Sequence, residues 1–112
     1  MKEIKAYVHR SRIADVIAAL KASPVWGGER GASRHNLAIH VVKGSLLAQD
    51  LQEQRYAMDL GDEVVNEYKL ELICEDGEVD QFVAAIAVAA RTGQGVAGWI
   101  AVVDLVSATP IH

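Results

Sequence analysis

Thr92-Gly93-Gln94-Gly95 is the one short run in this chain whose residue types and spacing predict a ligand site. Glycines between a helix and a strand can turn successive backbone N–H groups towards a phosphate or carboxylate. The four histidines, His9, His35, His40 and His112, invite a metal instead. None forms a close pair such as H-x-x-x-H, so no metal ligand is predicted. Catalysis has little support. There is no Walker-type glycine-lysine loop and no nucleophile elbow, and the carboxylates of Asp62 and Glu63 are sequence neighbours in a polar segment. The residues therefore predict a binding protein with no catalytic group.

These groups need elements to hold them. Residues 2–9 alternate, with Ile4, Ala6 and Val8 on one face, and read as a strand. Ser11 is placed to cap a helix whose stripe is Ile13, Val16, Ile17 and Leu20. Pro24 and the glycines at 27, 28 and 31 predict a loop, and residues 36–43 a second strand ended by Gly44. Residues 67–75 read as a third strand, with Tyr68, Leu70, Leu72 and Cys74 facing one way. Asp76 is placed to cap a second helix carrying Val79, Phe82, Val83 and Ile86, and Gly93 to terminate it. Residues 99–106 form the fourth strand.

The order β-α-β, long loop, β-α-β predicts one α+β domain over residues 1–112. Its expected architecture is a ferredoxin-like βαββαβ sandwich, a four-stranded antiparallel sheet with two helices on one face. The fourth strand is apolar on both faces, and strand two on much of its second, so the sheet is expected to be covered by other copies of the chain. Residues 45–66 make a connection long enough to be functional, a partner-binding arm. A net charge of −4 with dispersed lysines and arginines predicts no nucleic-acid partner. Cys74 alone allows no intrachain disulfide. With no apolar signal core at the start, the expected location is cytoplasmic.

The chain resembles the PII signal-transduction family over nearly all of its length. MKEIKAYVHRSRIADVIAALK is similar to the family's first strand and helix, and VVKG, residues 41–44, to the strand end from which its T-loop departs. YKLELICEDGEVDQFVAAIAVAARTG, residues 68–93, is similar to the third strand, second helix and opening of the B-loop. The resemblance implies a homotrimer binding an adenine nucleotide (AMP, ADP or ATP) in intersubunit clefts, often with 2-oxoglutarate and magnesium, or alternatively bicarbonate. It implies a loop that controls a membrane transporter for inorganic carbon, ammonium or metal, or an enzyme. The implied effector residues are Gly44, Ser45, Leu46, Leu47, Glu71, Ile73, Thr92, Gly93, Gln94, Gly95, Gly98 and Trp99. The implied partner-binding residues are Gln49, Gln52, Arg55 and Tyr56. Two rivals share the fold: a metal-responsive CutA-like trimer and a structural trimer without effector.

The departures are charged. Trp99 stands where the family has a phosphate-binding lysine, and Val96 where a glycine is frequent. Pro110 and His112 lie nearest the position of two arginines, Ala48 replaces the magnesium-ATP glutamine, and Leu60 aligns with a modifiable tyrosine. Each lost charge-assisted contact removes about 1.5–3 kcal/mol, so triphosphate binding is expected to weaken by orders of magnitude. Arg30 or Arg34 is the expected substitute.

Overall fold

The computed structural model describes residues 1–46, 54–57 and 62–112. Its strands are β1 (Lys2–His9), β2 (Ala38–Gly44), β3 (Gln54–Ala57), β4 (Asp62–Cys74) and β5 (Gly98–Asp104). Its α-helices are α1 (Ile13–Ala22), α2 (Gly31–Arg34) and α3 (Val79–Ala89). The main sheet runs β2-β4-β1-β5, with every pair antiparallel, and β3 pairs with the start of β4. This is an α+β fold compatible with the ferredoxin-like expectation.

Period-2 alternation puts Ile4, Ala6 and Val8 of β1 and Leu70, Leu72 and Cys74 of β4 on one face, all buried. The 3.6-residue period of the helices brings Val16 and Leu20 of α1 and Phe82 and Ile86 of α3 down onto them. Tyr68, Val79, Val83 and Ile13 pack at the margin of that core. No helix among the described residues is long and apolar enough to cross a membrane.

Several local expectations change. Residues 28–34 are not a plain loop: a 3-10 turn, Gly28–Arg30, leads into α2. The turn of chain carries Trp26 and His35 into the core, where both are buried. Ser11 does not cap α1, whose N-cap is Arg12; its hydroxyl lies 2.9 Å from His9 Nδ1 instead. Asp76 does not cap α3 either. A reciprocal capping box of Glu75 and Glu78 starts a 3-10 turn that runs into the helix, while Asp76 pairs with the Met1 ammonium at 2.7 Å. The long connection is also shorter than read, because β4 begins at Asp62 rather than residue 67, and β3 pairs alongside it from Gln54↔Val65 to Ala57↔Asp62.

The sheet face away from the helices is polar along its two middle strands. Lys5 lies 3.5 Å from Glu3, Lys69 lies 2.8 Å from Glu71, and the Lys69 ammonium sits 5.9 Å from the Tyr7 ring centre. These residues alternate with the buried ones along β1 and β4, so they form a polar band across the middle strands. The ion pair holds the Glu71 carboxyl below its usual range and the Lys69 ammonium above its own. Apolar exposure on this face is concentrated on β5, at Trp99 and Val103.

Candidate functional site

Two adjoining hollows form where the end of α3, the start of β5 and the end of β2 meet. The first, of about 520 Å³, is floored by Val8, Ile86 and Ala90 and walled by Thr92, Gly93, Gln94, Gly95, Gly98 and Trp99, with Arg91 at its margin. The second, of about 570 Å³, lies between Tyr7, Val42, Lys43, Gly44, Ser45, Leu46, Glu67, Gly95, Val96 and Trp99. Gly95, Trp99 and Tyr7 line both. The structure thus brings the glycine turn and the exit of the long connection to one place, although they are some fifty residues apart in sequence.

The turn is built from within. Gly93 takes a φ of +85°, the left-handed conformation a helix terminator needs. Thr92 Oγ1 donates to Gln94 Oε1 at 2.8 Å and accepts the Gln94 amide at 3.3 Å. The Gln94 N–H is therefore directed at Thr92 rather than at the hollow. Gly98 is fixed by close approach: a Cβ there would stand 2.2 Å from the Tyr7 carbonyl oxygen on β1. Trp99, next along β5, is 66% exposed and projects from the rim.

The residue that sequence reasoning missed is Glu67. It is 5% exposed, and its Oε2 accepts the Leu46 amide at 3.3 Å. Its carboxyl group lies directly over Gly44, where a Cβ would meet the carboxyl carbon at 2.0 Å. Gly44 is glycine because the carboxyl occupies the place of a side chain. Burial raises the Glu67 pKa; the Leu46 amide and the charge of His9, its partner across the β1–β4 ladder, oppose that rise.

A raised carboxyl has a stated sign for stability. Between the unfolded and the folded pKa the native state binds more protons, so stability falls as pH rises through that window. Glu67→Gln is accordingly expected to be more stable than the parent at neutral pH, with the difference closing as pH falls below the ordinary carboxylate range. Urea unfolding at pH 4 and pH 7.5 measures this, and an advantage that grows at acid pH would contradict it.

Other predicted positions fall elsewhere. Glu71 and Ile73 line neither hollow: Glu71 is held by Lys69, and the Ile73 amide donates to the His35 carbonyl while its own carbonyl lies 2.7 Å from His35 Nδ1. Arg34 does not reach the site. It pairs with Glu78 at 3.0 Å beside a separate hollow that the tail residues Ala108, Thr109, Pro110 and Ile111 also line. Among the described residues the basic groups lining the clefts are Lys43 and Arg91. Arg55 and Tyr56 fall within β3, while Leu47, Ala48, Gln49, Gln52 and Leu60 lie outside the described residues. Among the described residues no three His, Cys, Asp or Glu side chains converge as a metal site.

No family model matches the chain. It is 26% identical over all 112 of its residues to nitrogen regulatory protein P-II 1 of Methanothermobacter thermautotrophicus, covering 90% of that protein. The full-length span agrees with the resemblance carried by the strand, loop-exit and helix segments.

Proposed function

Since the chain is a divergent PII-like protein, we propose that it is a trimeric regulator whose effector, an adenine nucleotide or bicarbonate, binds where the two hollows adjoin. The observation that carries this reading is the shared wall: Gly95 and Trp99 border both the glycine turn and the residues Gly44, Ser45 and Leu46 from which the long connection leaves. A ligand seated there touches both. It would bias residues 45–66 between conformations to the extent that it binds one of them more tightly. The partner met by that segment is a transporter or an enzyme.

Trp99 offers a flat face in place of a charge, and among the described residues Arg91 and Lys43 are the cations that line the clefts. That balance favours a mono- or diphosphate, or a small anion, over a triphosphate. Calorimetry with AMP, ADP, ATP and bicarbonate tests the effector, sedimentation velocity tests the trimer, and affinity capture with residues 47–61 present or deleted tests the arm. AMP or ADP binding tighter than ATP, with partner capture lost on deletion, is the expected outcome. A monomer that binds none of the four ligands would overturn the reading.

A further inference from the structure

The second hollow has the chemistry of a cation site. Its polar floor is a carboxylate that is almost wholly buried, and its walls are two aromatic rings and three aliphatic side chains. A buried carboxylate is costly unless it is paired, and the hydrogen bond described for Glu67 is a single neutral amide at 3.3 Å. Lys43 borders the same hollow but alternates to the opposite side of β2 from Val42, the residue paired with Glu67, and no ion pair joins Lys43 to Glu67 among the described residues. His9 stands across the ladder from Glu67, with its Nδ1 beside Ser11.

We propose that the hollow at the exit of β2 binds a primary ammonium group on a short apolar stem, with Glu67 as counter-ion and Tyr7 and Trp99 as flanking faces. The ammonium donates to the carboxylate in a charge-assisted bond, and the negative faces of the rings stabilise the same charge. The stem packs on Val42, Val96 and Leu46. Next to Glu67 a carboxylate of equal size would meet a like charge in a poorly solvated place, so that end of the hollow selects against anions, which the regulator reading seats at the Gly95–Trp99 wall. Burial raises the pKa of Glu67 even though the Leu46 amide and the charge of His9 oppose the rise, so a further cation beside the carboxylate would be favourable. Because Leu46 bonds to the same carboxyl group, occupancy competes for Oε2 at the first residues of the long connection.

This deepens the regulator reading and rests on it only for the consequence at the loop, since every residue invoked belongs to one chain. The test is titration of the ¹⁵N-labelled full chain with n-butylammonium, n-butanol and n-butyrate at constant ionic strength, following the indole N–H signals. Trp99 is exposed and Trp26 buried, so the two signals separate rim from core. Butylammonium is expected to move the Trp99 signal saturably, and butyrate and butanol to leave it in place. Glu67→Gln should weaken the amine by about ten- to a hundredfold, and Gly44→Ala, which keeps the charge but pushes the carboxyl off its seat, should weaken it as well. Equal response to butyrate, or unchanged binding in Glu67→Gln, would overturn the proposal. Amine binding without any response to AMP, ADP, ATP or bicarbonate would instead retain it and remove the nucleotide reading.

Discussion

Gly98→Ala is expected to lower the stability of the chain by about 3 kcal/mol and to weaken any ligand held by the glycine turn at least tenfold. The added methyl would stand 2.2 Å from the Tyr7 carbonyl oxygen. A backbone oxygen cannot rotate away as a side-chain tip can, so either β1 and β5 move apart or the pair Val8↔Gly98 breaks. That pair closes the β1–β5 ladder, so peeling is the easier relaxation. Peeling would shift Trp99 and Tyr7, which line both hollows. A loss of this size is a large part of the roughly 5–15 kcal/mol that holds a domain together. Urea unfolding and amide exchange at Val8 and Gly98 provide the measurement. Protection unchanged at those two amides, with parental stability, would show that the ladder accepts a side chain there.

The elements that rest on side-chain period were legible in the sequence. Val16 and Leu20, Phe82 and Ile86 lie buried where their spacing placed them, and so do Ile4, Ala6 and Val8. What could not be read depends on contacts without a local pattern. β3 has no alternation to reveal it, and its pairing with β4 is made by the backbone. Trp26 and His35 sit in a glycine-rich stretch that reads as loop, yet the Trp26 indole lies over Gly31, and His35 bonds to the carbonyl of Ile73. Their burial is set by a neighbouring strand far along the chain.

The candidate site divides in the same way. The glycine turn was visible because its residue types are unusual between a helix and a strand. Glu67 was not visible, because alternation with Tyr68, Leu70 and Leu72 assigns it to the sheet face away from the helices. It does lie on that face, but the end of β2 covers it, a consequence of Gly44 having no side chain. A glycine lying diagonal to a carboxylate on the neighbouring strand is a relation between two strands, and a single sequence does not display it. Glu71 shares that face and keeps its ion pair with Lys69 near the sheet centre, where neither hollow reaches.

Phe82→Ala is expected to cost about 3–5 kcal/mol, among the larger losses from a single truncation in this core. Phe82 is fully buried and meets the Trp26 ring edge-on at 6.4 Å and the His35 ring at 5.0 Å. Removing it would leave a cavity and forfeit two aromatic contacts worth about 0.5–1.5 kcal/mol each. The consequence spreads beyond the hole because His35 is a tie. Its Nδ1 lies 2.7 Å from the Ile73 carbonyl, its Nε2 faces the carbonyls of Val25 and Trp26, and its own carbonyl accepts the Ile73 amide at 2.7 Å. Loosening the ring that packs on it would free the segment from Val25 to His35 from β4. Phe82→Leu, which keeps most of the volume, should cost about 1.5 kcal/mol or less. Denaturant midpoints for the two variants, with amide exchange at Ile73 as the local reporter, measure the difference. If alanine and leucine cost the same while Ile73 stays protected, the aromatic cluster does not hold this segment to the sheet.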